Sequence, residues 1–228
     1  MVQAGTDLET TQTPKIGRRQ QGLAERRRRL VRAAGELIAE RENGNFSMPE
    51  LAARAGVSLA TPYNLFGSKA AVLTQLFEGQ VRGFNRDNAW MNGLPPAKRV
   101  LGVVDRLVAA YAREPRFYRN LVKALYALGT AETAQFASPV GTLLVQPLIE
   151  GLIGDGLVPA EVPKSVLATT LTRLFDATFE RWALQDWPTD QLQVELRAGF
   201  ALVFYGLFDD AAQATLAAAM KAATVQTD

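Results

Sequence analysis

The chain is expected to fold as an all-α protein, with a unit of short, turn-linked helices near its N-terminus and a larger helical half behind it. Three observations carry this expectation. Apolar residues recur at i, i+3, i+4 and i+7 through most of the sequence, and no stretch sustains the period-2 alternation of a half-buried strand. Pro49, Pro115, Pro139, Pro163 and Pro188 fall at or near the starts of helical patterns, where a missing N–H does no harm. Between Gly44 and Lys69, glycines and serines cut the helical pattern into short pieces.

Residues 1–22 are polar and carry Lys15, Arg18 and Arg19; they read as a flexible basic arm. A first helix spans about 24–42, with Leu30, Val31, Ala34, Leu37 and Ile38 on one face. Arg26, Arg27, Arg28, Arg29 and Arg32 crowd its first half, the end where the helix dipole favours acids. Such a run is either a solvated face or a surface that meets phosphates. Asn43-Gly44-Asn45 ends this helix, with Gly44 suited to a left-handed cap. Asn45-Phe46-Ser47 matches a glycosylation sequon, taken as coincidence because no secretion signal is seen.

Ser47 and Glu50 have capping-box spacing for a second, short helix, whose inward face is Leu51, Ala52 and Ala55. Gly56 permits the tight turn that follows. Ser58 is placed to cap a third helix through Phe66, and Gly67-Ser68 breaks and recaps the chain. A fourth helix, about 69–86, aligns Val72, Leu73, Leu76, Phe77 and Val81. After the Gly/Pro-rich link from Trp90 to Pro96, helices are expected near 97–113, 115–129, 139–153, 163–185, 189–207 and 209–222.

Composition narrows the chemistry. The 228 residues contain neither cysteine nor histidine. That removes disulfides, Cys/His zinc sites, thiol nucleophiles and His-based relays, so no enzyme activity, cofactor or metal is expected. Asp176 and Glu180 lie i,i+4 but have no third catalytic partner, and the glycines at 151, 154 and 156 follow a helix, not the strand of a phosphate loop. No apolar run reaches the roughly 18 residues of a membrane span, and the first residues lack a signal-peptide pattern, so a cytoplasmic location is expected. Residues 1–86 hold 13 Lys+Arg against 8 Asp+Glu, and the remainder 12 against 15. A basic front and an acidic back point to a polyanionic partner at the front.

Residues 47–69, SMPELAARAGVSLATPYNLFGSK, resemble the DNA-binding signature of the tetracycline-repressor (TetR) family of bacterial regulators. Leu51, Ala52, Ala55, Gly56, Val57, Ser58, Thr61, Tyr63, Phe66, Ser68 and Lys69 carry the match, and the likeness extends over about residues 25–85. The resemblance implies an N-terminal three-helix helix-turn-helix DNA-binding domain (23–86) and a C-terminal ligand-binding and dimerisation domain (87–228). It implies that Thr61, Tyr63 and Lys69 grip the phosphate backbone and that Ser58, Leu59, Ala60 and Asn64 face the base edges, with Ser47 also at the interface. Arg18 and Arg19 are candidates for minor-groove contacts. Two positions depart from the pattern: Pro62 lies inside the third helix, where it could delay or distort the first turn, and Leu65 stands where the family often has histidine. Hydrogen-bonded base reading is therefore sparse, and thymine-methyl contacts and DNA shape carry more of the load.

The resemblance also implies a homodimer, since two helices related by a two-fold axis read an inverted repeat in double-stranded DNA. Expected at the subunit interface are Leu167, Leu171, Leu174, Phe175, Phe179 and Trp182 from one long helix, and Leu196, Phe200, Val203 and Phe204 from the next. An apolar or aromatic small molecule is expected in the C-terminal half, near Trp90, Tyr111, Phe117, Tyr118, Tyr126 and Phe136. The function implied is a ligand-responsive repressor. The competing readings are a non-specific architectural nucleic-acid-binding protein and a helical enzyme fused to a DNA module.

Overall fold

The computed structural model describes residues 18–84, 89–128 and 141–224. Among these residues there are ten α-helices and no strand. The first four are α1 (Arg18–Glu40), α2 (Met48–Arg54), α3 (Ala60–Phe66) and α4 (Lys69–Phe84). They are followed by α5 (Pro96–Tyr111), α6 (Pro115–Tyr126), α7 (Gln146–Gly154), α8 (Lys164–Leu184), α9 (Thr189–Tyr205) and α10 (Asp210–Thr224). A single 3₁₀ turn, Ala89–Met91, precedes α5, and a π turn, Gly141–Val145, runs into α7. No helix among the described residues is long and apolar enough to cross a membrane.

The first helix begins earlier than the sequence pattern suggests. Residues 18–22 belong to α1, so Arg18 and Arg19 sit on a helix and not in a flexible arm. Gln and Arg are good helix formers, and no proline lies between Pro14 and Pro49 to interrupt the winding of α1.

The buried apolar side chains form one continuous cluster from Leu30 on α1 to Ala219 on α10. At its front, α1 packs against α2, α4 and α6; at its back, α9 packs against α5, α8 and α10. In the middle lies a nest of aromatic rings. Tyr111 meets Tyr118 edge-on at 4.5 Å and Phe179 at 4.6 Å, while Phe179 stacks on both Phe175 and Trp182 at 5.3 Å.

The residues expected at a subunit interface face this core instead. Leu167, Leu171, Phe175, Phe179 and Trp182 of α8, and Leu196, Phe200 and Phe204 of α9, are buried within the single chain. Leu174 and Val203 are partly buried against the same core, and Leu174 lies where a Cβ on Gly199 would sit, 2.7 Å from it. The physical reason is competition for the most apolar face. Burying one such side chain is worth about 1.5–3 kcal/mol, and α5 and α6 are covalently at hand to do it. The faces of α8 and α9 left in solvent carry Val166, Leu184, Leu202 and Tyr205, with Leu202 67% exposed.

Among the described residues, two polar side chains of α6 fasten the front of the molecule to the back. The Asn120 side chain on α6, 2% exposed, donates to the carbonyls of Ile38 (3.1 Å) and Arg41 (2.7 Å) at the end of α1. Gly44, with φ of +66°, lies so close that a Cβ would come within 2.4 Å of the Asn120 carbonyl oxygen. The Tyr118 hydroxyl on α6 donates to Gln80 Oε1 on α4 at 3.3 Å.

Candidate nucleic-acid interface

The site is built on α3, a helix of only seven residues. An isolated helix of two turns is unstable in water, so its neighbours must hold it. Beneath it, Leu51 and Ala52 of α2 and its C-cap residue Ala55 are buried, and Val57, Leu65 and Phe66 pack against the shared core with Leu37 and Ile38. Gly56 makes the turn from α2 to α3 with φ of +62°. A side chain with a Cβ would be strained there.

The start of α2 is fixed as its spacing predicts. Glu50 Oε2 accepts from the Ser47 backbone N–H and hydroxyl, both at 2.7 Å, while the Glu50 N–H donates to Ser47 Oγ at 3.4 Å. Arg41 reaches the other carboxylate oxygen of Glu50 at 2.5 Å. The hydrogen bond from Arg41, then those from Ser47, hold the Glu50 carboxyl down to about 2. Ser47 is exposed, but its hydroxyl is engaged in this cap.

The start of α3 differs in detail from expectation. Its cap residue is Leu59, with no side-chain cap. The Ser58 hydroxyl lies 2.8 Å from the Thr61 hydroxyl, and the Thr61 N–H donates to the Ser58 carbonyl at 2.9 Å. Pro62 does no damage. It is the third residue of α3, within the first turn whose N–H groups have no intrahelical acceptor, and its ring is buried.

The outward face of this segment carries Ser58, Leu59, Ala60, Tyr63 and Asn64, all exposed. Leu59 and Tyr63 are large apolar groups 56% and 49% exposed, one helical turn apart. Thr61 is half-buried. Lys69 opens α4, with its ammonium bonded to Asn45 Oδ1 and 4.8 Å from the Phe46 ring centre. Ser68 caps that helix by accepting from the Ala71 N–H at 3.2 Å. Sequence reasoning missed Asn45 and Phe46 as the seat of Lys69; the only sequence signal was a sequon-like triplet dismissed as coincidence. The side chains of Arg18 and Arg19 lie outside the described residues.

Around the site the charges divide. Arg41 pairs with Glu50, and Arg54 pairs with Glu40 at 2.6 Å and Glu36 at 3.5 Å. Arg28 pairs with Glu25 at 2.7 Å. Arg26, Arg29 and Arg32 are exposed and make no ion pair among the described residues.

The aromatics expected around a ligand do not share one wall. Tyr111, Phe117 and Tyr118 are buried, Tyr126 is 44% exposed, and Trp90 lies half-buried beneath Arg106 at 4.9 Å. Phe136 lies outside the described residues. An open groove of about 810 Å³ runs between α1, α4 and α6, and of these aromatics it is lined by Phe117. Two polar atoms in the aromatic nest, the Tyr111 hydroxyl and the Trp182 indole N–H, are buried without a hydrogen-bond partner among the described residues. Burial first, and then Tyr118 and Asp176, push the Tyr111 phenol well above 10. Among the described residues no group of acidic side chains is placed to hold a metal ion.

Comparison with known proteins agrees with this geometry. Residues 30–76 match the family model described as bacterial regulatory proteins, tetR family. No curated protein matches in sequence. Among solved structures, a TetR transcriptional regulator from Rhodococcus sp. RHA1 superposes with a TM-score of 0.60 at 22% identity, covering 82% of this chain and 99% of that one. Thermus thermophilus FadR, a TetR-family repressor in complex with lauroyl-CoA, gives 0.61 at 26% identity over 80% and 95% of the two chains. The R. erythropolis repressor QsdR gives 0.60 at 18% identity over 82% and 97%.

Proposed function

We propose that this chain, whose residues 30–76 match the model for bacterial regulatory proteins of the tetR family, is a cytoplasmic, homodimeric TetR-family repressor that reads an inverted-repeat operator and is released from it by a small molecule. The observation that carries the DNA-reading part is the outward face of α3. A helix of seven residues leaves Leu59 and Tyr63 in solvent beside Ser58, Ala60 and Asn64. Among the described residues the Leu59, Tyr63 and Asn64 side chains are exposed and carry no hydrogen bond or ring contact, and the width of the face suits the major groove. Tyr63, Thr61 and Lys69 supply phosphate grips at its edges, and Ser47 stays a helix cap. Base discrimination rests on Asn64 and Ser58 for hydrogen bonds and on Leu59 and Ala60 for thymine methyl groups.

The second subunit docks on the solvent face of α8 and α9, through Val166, Leu184, Leu202 and Tyr205, and not through the residues of the inner face. The ligand is an apolar or aromatic molecule bound in the C-terminal half. The relative that holds lauroyl-CoA supports an apolar ligand. The unpartnered donors of Tyr111 and Trp182 favour one that also carries an acceptor. Its effect reaches α1 and α4 through Asn120 and Tyr118, the two polar ties from α6, and changes the spacing of the two α3 helices. The coupling is reciprocal: operator DNA weakens ligand binding by the factor by which ligand weakens DNA binding.

The test is selection of duplexes from a random-sequence library, followed by binding at fixed near-physiological salt against scrambled competitor. A preference of about a thousandfold or more for one inverted repeat, lost in Tyr63→Ala and Lys69→Ala, is the expected result. Tight but indiscriminate binding would favour an architectural protein instead. Turnover by the protein, without operator preference, would favour an enzyme.

A further inference from the structure

The arginine run of α1 looks, in sequence, like one phosphate-binding stripe, but Arg27 is turned away from it. Its Nη2 donates to the Leu65 carbonyl at 2.5 Å, and its guanidinium centre lies 5.3 Å from the Phe66 ring centre. Both partners are at the C-terminal end of α3. Leu65 is among the last four residues of that helix, whose carbonyls have no intrahelical donor, and the end of a helix favours a cation. One side chain thus supplies a donor, a charge and a flat face to the end of the least embedded helix in the fold. Within α3 only Pro62 is buried.

We propose that Arg27 is a positioning residue for α3, setting its tilt and rotation on α1, and is not a phosphate contact. It acts through α3: with Leu65 and Phe66 held from below, Leu59, Tyr63 and Asn64 are presented outward in one orientation. Losing it lets the short helix rock, which blurs discrimination between sequences while leaving general attraction to DNA intact. Arg26, Arg29 and Arg32, exposed and without ion pairs among the described residues, remain the phosphate-facing members of the run. This rests on the reading of α3 as the recognition helix.

The experiment compares full-length wild type with Arg27→Met and Arg29→Met in two readouts. The first is amide hydrogen exchange of residues 63–67 in DNA-free protein. Arg27→Met is expected to speed it about tenfold and Arg29→Met to leave it unchanged; unchanged exchange in Arg27→Met overturns the clamp. The second is affinity against salt for a library-selected duplex and a scrambled duplex. Arg27→Met is expected to weaken the selected duplex about tenfold and the scrambled one less than twofold, with the salt slope unaltered. Equal weakening of both, with the slope reduced by about 0.9 for each arginine removed, overturns the proposal in favour of a phosphate contact. Should Arg27→Met not fold, Arg27→Lys keeps the charge without the planar fork and is expected to show the same split at smaller size. Should wild type select no duplex, the DNA-reading function fails, while the exchange measurement still decides whether Arg27 holds α3.

Discussion

Replacing Asn120 with alanine tests the joint between the two halves. Asn120 is a buried polar side chain that donates to two carbonyls at the end of α1. Arg41 O also accepts from the Gly44 N–H at 3.3 Å, so it keeps a partner in the variant. Ile38 O loses its Asn120 donor. Two lost hydrogen bonds at about 1 kcal/mol each, plus about 1–2 kcal/mol for a carbonyl left buried and unpaired, give an expected destabilisation of about 3–4 kcal/mol. The assay is urea unfolding at fixed protein concentration, because association would contribute to the stability of the proposed dimer. A lower midpoint with an unchanged slope is expected. A loss below about 0.5 kcal/mol, the level of an ordinary surface substitution, would refute the argument that this amide caps α1. A joint that matters for signalling should also loosen: exchange at residues 38–44 should rise before global unfolding.

Other consequences can be checked in the same way. Glu50 titrates near 2 in the folded chain against 4.5 unperturbed, so its contribution is complete above 4.5 and fades as pH falls toward 2. Glu50→Gln should therefore lower Tm at pH 7 and converge on wild type near pH 2; a constant difference across that window would count against the cap. Leu202→Glu should yield a folded monomer by sedimentation, since Leu202 is 67% exposed, whereas Leu196→Glu should unfold the chain, since Leu196 is 1% exposed. A folded dimer in Leu202→Glu would move the subunit interface elsewhere. Gly79→Ala, with nothing within 4 Å of the new Cβ, should stabilise α4 by about 0.5–1 kcal/mol. Gly44→Ala should instead destabilise, because both its φ and the Asn120 backbone oppose a side chain.

Much of this molecule was fixed by short-range rules that need only neighbouring residues. The helix positions, the Ser47–Glu50 box, the left-handed glycines at 44 and 56 and the tolerance of Pro49 all follow from capping, φ preference and hydrogen-bond geometry within a few residues. That Ser58, Leu59, Ala60, Tyr63 and Asn64 share an exposed face, with Pro62 turned inward, follows from helical periodicity after Gly56. Pro62 is harmless by register, a matter of where the first helical residue falls, which propensity leaves open by a residue or two.

What tertiary structure alone decided is which of several equivalent groups is used, and by what. A stripe such as Leu171, Phe175, Phe179 and Trp182 announces burial, but not whether its partner is α6 of the same chain or a second subunit, because the hydrophobic effect is non-directional. Five arginines in one run are alike in sequence; only the seating of α3 on α2 and α4 brings Leu65 and Phe66, 38 and 39 residues away along the chain, to Arg27. Asn120 and Ile38 are 82 residues apart, and Lys69 and Asn45 are 24 apart. Such contacts depend on where helices cross, and the crossing is set by the fit of whole side-chain faces, which no local pattern records.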